Sequence, residues 1–196
     1  MTDPTQISKD PFFSSGYEGK RIILIPYSED RDLVHIHAMF QDPRTTGPLG
    51  IDSIKFPIDK IREQKNERME APDASDWTVF IKGDEERFAG EVGLVNWDYE
   101  THVVEIFAAI SPDYIGKGYG REAVSILIEK IFTRSMIAIV RVQTLTTNVA
   151  AVKLSYALGF RETGRRAVSP DPEIGFVGGI AVVMDCLFYE FKPFKG

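Results

Sequence analysis

The chain has 196 residues, 43% hydrophobic and 27% charged, which describes a globular α/β-sized domain and excludes a fibre or a disordered chain. A formal net charge of -6 and a pI near 5.2 argue against a nucleic-acid binder, which needs a basic face to displace counterions from phosphate; they lean toward a cationic or amine partner. No run reaches the roughly 18 apolar residues of a membrane span, and the start MTDPTQISKDPFF lacks the basic and apolar parts of a secretory signal, so a cytoplasmic protein is expected.

Residues 1–18 carry two prolines and few aliphatics and are expected to form an N-terminal arm, with residues 19–196 as a single domain. KRIILIPY (20–27) reads as a strand, and Ser28 followed by Glu29 and Asp30 reads as a helix start, with the helix running to about Phe40. QDPRTTGPLG (41–50) is a loop by its Pro and Gly content, and PIDKIREQKNERMEA (57–71) is a polar helix opened by Pro57 at its first turn. Loop and helix together suit a movable flank over a site. WTVFIK (77–82), FAGEVGLVNW (88–97) and HVVEIFAAI (102–110), separated by charged turns, form an antiparallel meander. GREAVSILIEKIFTR (120–134) has apolar residues at 123, 124, 127, 128 and 131, the helical period. AIVRVQTLT (138–146) is a strand, NVAAVKLSYAL (148–158) a helix stopped by Gly159, and AVVMDCLFYEF (181–191) a long final strand. The expected fold class is therefore α/β in the order β-α-α-β-β-β-α-β-α-β-β.

The lone cysteine, Cys186, lies in an apolar run and reads as core filler. The histidines His35, His37 and His102 have no metal-like spacing, so no metal is expected.

Between the meander and its following helix, ISPDYIGKGYGREAV (110–124) places Gly116, Gly118 and Gly120 within five positions. A strand, a glycine turn and a helix start gather free backbone amides and the positive end of a helix dipole at one spot, which is an anion site. A P-loop requires Gly-Lys-Ser/Thr, whereas Lys117 is followed by Gly118; the dinucleotide fingerprint requires its third glycine at Arg121 and a βαβ unit. A pyrophosphate cradle remains, against a tight turn without ligand.

Farther on, NVAAVKLSYALGFRETGR (148–165) begins with Asn after a strand and contains Leu-Gly-Phe. The two segments together resemble the GNAT superfamily of CoA-dependent N-acetyltransferases. The family's [Q/R]-x-x-G-x-[G/A] falls on Ile115, Gly118 and Gly120, and its N-x-x-A-x-x-L-Y-x-x-x-G-F on Asn148, Ala151, Leu154, Ser155, Gly159 and Phe160. EIFAAISPDYIGKGYGREAV and LGFRETGR are similar to the branch of ribosomal-protein N-terminal acetyltransferases and their small-amine relatives. The resemblance implies a mixed, mostly antiparallel central sheet flanked by helices, and acetyl-CoA as co-substrate.

It also implies site roles. Amides from Ile115 through Gly116, Lys117, Gly118, Tyr119 and Gly120 to Arg121 would hold the CoA pyrophosphate, with Lys117 and Arg121 either adding charge or staying solvated. The strand ending Ala109-Ile110 would pair with the pantetheine arm. Asn148 would bond that arm or simply cap its own helix. Ile115 departs from the family's Gln or Arg, removing one polar side chain near the phosphates. The thiolate leaving group needs a proton, and the family's Tyr position is Ser155 here, with Tyr156 one place later. Seven residues make about 700° of helix, so Ser155 lies under Asn148 and Tyr156 about 100° away. Acidity favours Tyr156, because a phenol has a pKa of about 10.

A base for the incoming ammonium falls on Glu105, which resembles the glutamate some members use, or on Glu91 of the neighbouring strand. The acceptor is then a small amine, or else a protein N-terminus or lysine; an acyl-CoA-binding sensor without turnover stands as the reading from another class. Strand 181–191 and PDPEIGFVGG (170–179) line the acceptor pocket or a homodimer contact.

Overall fold

The computed structural model describes residues 14–52, 57–134, 137–173 and 175–193. Five strands follow one another as antiparallel neighbours: β1 (Tyr17–Glu18), β2 (Ile22–Pro26), β3 (Ser75–Ile81), β4 (Asp84–Asp98) and β5 (Val103–Ile110). β6 (Ile139–Leu145) lies parallel to β5, and β8 (Gly179–Leu187) separates it from the edge strand β7 (Arg161–Val168). The helices are α1 (Glu29–Phe40), α2 (Pro43–Leu49), α3 (Ile58–Glu70), α4 (Tyr119–Arg134) and α5 (Val149–Leu158). The expected mixed, mostly antiparallel sheet with flanking helices is what the chain forms. Among the described residues, no helix is long and apolar enough to cross a membrane.

Strand alternation splits the side chains between two layers. Trp77, Val79, Val92, Leu94, Val104 and Ile106 join Ala123, Val124, Leu127, Ile128 and Ile131 of α4 in the larger core. Each such fully buried aliphatic contributes about 1.5–3 kcal/mol. A smaller cluster gathers Tyr27, Leu33, Ile36, Met39, Phe40 and Ile61, contributed mainly by α1 with Ile61 of α3.

At two places the elements differ from those expected. Residues 41–50 are not simply a loop: Asp42 caps α2 by accepting from the Arg44 amide at 2.8 Å, Pro43 opens the helix, and Gly50 closes it at φ 70°. Pro and Gly here mark helix ends. The last strand stops at Leu187, paired with Ile139 at the start of β6, and a 3-10 turn, Phe188–Glu190, replaces the expected residues beyond. The arm's residues 1–13 lie outside the described residues, but Tyr17 is buried and the Ser15 carbonyl accepts from Trp77 Nε1 at 2.9 Å.

The polar helix α3 docks through only two buried residues, Ile61 and Lys65. Lys65 Nζ lies 2.6 Å from Asp76 Oδ2, pairs also with Glu91, and sits 5.1 Å from the Tyr27 ring centre and 5.7 Å from that of Phe107. Burial opposes the charge on Lys65, but the carboxylates of Glu91 and Asp76 outweigh it and hold its pKa above the ordinary lysine value. Burial, with Glu29, Asp32, Asp76 and Glu91 nearby, pushes the Tyr27 phenol up to about 12. Of the expected movable flank, the helix α3 is thus joined to the sheet by a buried ion cluster.

Replacing Lys65 by Met leaves two buried carboxylates short of a partner and costs about 3–5 kcal/mol of stability, measured by denaturant unfolding. Because Tyr27 releases its proton near pH 10 when unfolded and about 12 when folded, it adds stability at neutral pH that is lost as pH climbs through that window. The unfolding free energy of Tyr27→Phe therefore falls less steeply above about pH 10 than that of the unaltered protein.

Candidate functional site

β5 and β6 pair at only three positions, Val103 with Ile139, Val104 with Val140 and Glu105 with Arg141, and then part. Beyond that point β5 remains paired with β4 on its other side, up to Ile110 with Gly90. The parting opens a cleft of 420 Å³. Ala108, Ala109 and Ile110 form one wall, Asn148, Ala151 and Leu154 the opposite one. Gly116, Gly118, Gly120 and Arg121 line one end, and Arg44, Thr45, Pro48 and Leu49 of α2 lie across it.

The three glycines have different causes. Gly116 and Gly118 adopt φ of 79° and 82°, which L side chains rarely do. Gly120 needs space instead, because a Cβ there would stand 3.0 Å from Ile110 Cγ1. The Glu122 amide donates to the Gly118 carbonyl at 3.1 Å and begins the helical ladder, so the amides of Gly118 to Arg121 precede it. Together with the α4 dipole this makes the turn fit for an anion.

Of the residues the sequence pointed to, the cleft brings together Ala109, Ile110, Ile115, Gly116, Gly118, Gly120, Arg121 and Asn148. Lys117 and Tyr119 stand otherwise: Lys117 Nζ lies 5.1 Å from the Tyr114 ring centre, and Tyr119 packs edge-on against Tyr114 at 5.8 Å. Asn148 caps its own helix, its Oδ1 accepting from the Ala151 amide at 3.2 Å, and it also borders the cleft.

The candidate acids point elsewhere. Ser155 is buried, and its hydroxyl donates to the Ala151 carbonyl at 3.0 Å within its own helix. Tyr156 is 49% exposed and does not border the cleft; near it on β7 stands Glu162, whose carboxyl is held low first by Arg165. Glu105 stands at the vertex where the strands part. It accepts from Gln143 Nε2 at 2.6 Å, and Gln143 Oε1 accepts from Arg166 Nε at 2.7 Å. Glu91, the other candidate base, is buried and taken up by Lys65. Cys186 is fully buried, its thiol pushed up to about 12 by burial, then by Glu190. Among the described residues no three His, Cys, Asp or Glu side chains are grouped to hold a metal ion.

Sequence reasoning missed Gly90 and Arg21. Gly90 holds φ 148°, and a Cβ there would collide with the Ala109 carbonyl, so β4 reaches the cleft wall only as glycine. Arg21, at the start of β2, meets the glycine turn from 96 residues away, a separation no local motif carries. Segment 170–179 folds against α2, with Val177 donating to the Gly50 carbonyl at 2.9 Å, and Phe176 borders a second hollow of 210 Å³ beside Gln143 and Arg166.

Gly90→Ala is expected to displace the Ala109–Ile110 wall; calorimetric titration with CoA then shows weakened binding, by about tenfold or more if 1.4 kcal/mol of wall geometry is lost.

A family model described as an acetyltransferase (GNAT) domain matches residues 21–161. Spermidine N-acetyltransferase from Vibrio cholerae, solved with CoA and spermine, is similar at TM-score 0.72 and 20% identity over 88% of this chain and 98% of that one. Ribosomal-protein-S5-alanine acetyltransferase from Vibrio fischeri gives 0.69 and 19% over 91% and 100%. A GCN5-related N-acetyltransferase from Brucella melitensis gives 0.74 and 14% over 90% and 80%. Identities this low carry the fold alone. No curated protein matches the chain in sequence.

Proposed function

Since the chain belongs to the GNAT acetyltransferase family, whose co-substrate is acetyl-CoA, we propose that residues 19–196 form one N-acetyltransferase domain that acetylates a primary amine by direct attack within a ternary complex. The observation that carries this is the parting of β5 and β6 with the glycine turn at one end of the gap. The amides of Gly116 and of Gly118 to Arg121 hold the pyrophosphate, those of Ile115 and Lys117 being taken up by the Pro112 and Tyr114 carbonyls, and the unpaired rim at Ala109 and Ile110 takes an extended amide-bearing arm as a further strand would. Asn148, with Oδ1 committed to its cap, borders the arm from the far wall.

The acceptor enters by the smaller hollow beside Gln143 and Arg166, where Glu105 closes the vertex. An alkylammonium near pKa 10 must shed its proton before its nitrogen can attack the thioester carbon. Glu105, directly or through water, takes that proton; the carbon–nitrogen bond forms, the carbon–sulfur bond breaks, the nitrogen gives its second proton to water and the thiolate is protonated. Tyr156 supplies that last proton, with Ser155 as the other hydroxyl of the same helix. A small amine is the acceptor this reading prefers, on the acidic net charge; a protein N-terminus or lysine is the alternative. That Ser155 is engaged within its own helix and neither hydroxyl borders the cleft favours, as a second reading, an acyl-CoA sensor without turnover.

Titration with acetyl-CoA followed by thiol release against mixed amines and peptides separates these readings. Binding with turnover establishes the enzyme and its acceptor class, binding without turnover the sensor, and no binding removes the cradle. With an acceptor in hand, Glu105→Gln lowers kcat/KM most at low pH, where free amine is scarce; an unaltered pH profile assigns the proton to water. Tyr156→Phe lowers kcat by about 10²-fold or more if the phenol protonates the thiolate, and leaves it unchanged otherwise.

A further inference from the structure

Ile115 leaves the glycine turn without the polar side chain that the family pattern places there, yet the turn is braced from another direction. Arg21 donates its Nη1 to the Lys117 carbonyl at 2.9 Å, and its guanidinium lies 4.9 Å from the Tyr119 ring centre. Its backbone amide and Nε reach the two carboxylate oxygens of Glu122, at 2.7 and 2.8 Å. Glu122 is buried in the first turn of α4, so the fork is itself held in place. A Cβ at Gly118 would stand 3.1 Å from Arg21 Nη2. The side chain excluded at Gly118 is therefore excluded by this guanidinium as well as by the positive φ.

The Lys117 carbonyl and the Gly118 amide belong to one planar trans peptide, in which C=O and N–H point in opposite directions. Drawing the carbonyl toward Arg21 turns the Gly118 N–H away from it. We infer that Arg21 is a positioning residue for the pyrophosphate of CoA: it fixes the Lys117–Gly118 peptide so that the Gly118 amide is presented to the anion. The inference rests on the reading of the turn as the pyrophosphate cradle. Arg21 does not border the cleft, so it acts through the peptide, and a bidentate fork is needed because one side chain must hold Glu122 and the carbonyl together.

The test compares CoA with pantetheine, which has the same arm and no pyrophosphate, on the full chain and on Arg21→Met. Affinity for CoA is expected to fall by about tenfold or more, one charge-assisted hydrogen bond's worth, while that for pantetheine stays within twofold. In the unaltered protein the Gly118 amide resonance shifts on adding CoA; in Arg21→Met that shift is lost. Arg21→Lys, which keeps the charge but not the fork, is expected to resemble Arg21→Met. Since Arg21→Met strands the buried Glu122 carboxylate, Arg21→Met with Glu122→Gln is measured beside it; the pair recovers stability without recovering affinity for CoA. Equal losses for both ligands, or an unchanged affinity for CoA, overturn the role of Arg21. Equal affinity of the unaltered protein for CoA and pantetheine instead overturns the cradle itself.

Discussion

Parallel neighbours cannot be joined by a hairpin, so β5 and β6 must be connected by a crossover, and here that crossover consists of the glycine turn and α4. Everything at the site follows from where the pair stops. Three matched positions hold the strands together, and past Glu105 and Arg141 each keeps backbone donors and acceptors that require a partner. An extended amide chain supplies one, and the amides ahead of the α4 ladder lie where such a chain would end. Recognition of this kind is made by backbone, which suits a cleft lined largely by alanine, glycine, isoleucine and leucine, with few polar side chains among them.

The sheet is held from its two faces by different forces. On the α4 side the contact is apolar and continuous, from Trp77 to Ile131. On the α3 side it rests on Lys65 among Asp76, Glu91 and two aromatic rings. A buried charge cluster is directional where an apolar face is not, so α3 is held in one register on the sheet. The Glu91 it engages faces the same side as Ala109, its cross-strand neighbour, and the clamp thereby ends at the cleft wall.

Features set by backbone conformation could be read from the sequence, and features set by distant pairing could not. Gly116, Gly118 and Asn148 stood out because a left-handed residue or a helix start narrows the choice of side chain, and Gly120 because it sits among them. Arg21 and Lys65 carried no such mark: each looks like a surface cation until its carboxylate, 101 or 26 residues on, is brought to it. The period of α5 is that of the helix the chain forms, but periodicity says nothing of the Ala151 carbonyl that takes up the Ser155 hydroxyl. Residues 41–50 read as a loop because the same Pro and Gly that break long helices also bound short ones.

The outermost strand, β7, leaves one row of its backbone groups without a neighbouring strand, the arrangement by which sheets recruit one another into aggregates. Its exposed positions hold Arg161, Glu162, Arg165 and Arg166, which would bring like charges together if two such rims met in register. Arg166 stands at both places, donating to the Gln143 that holds Glu105 at the vertex of the cleft while keeping the open rim of the sheet charged.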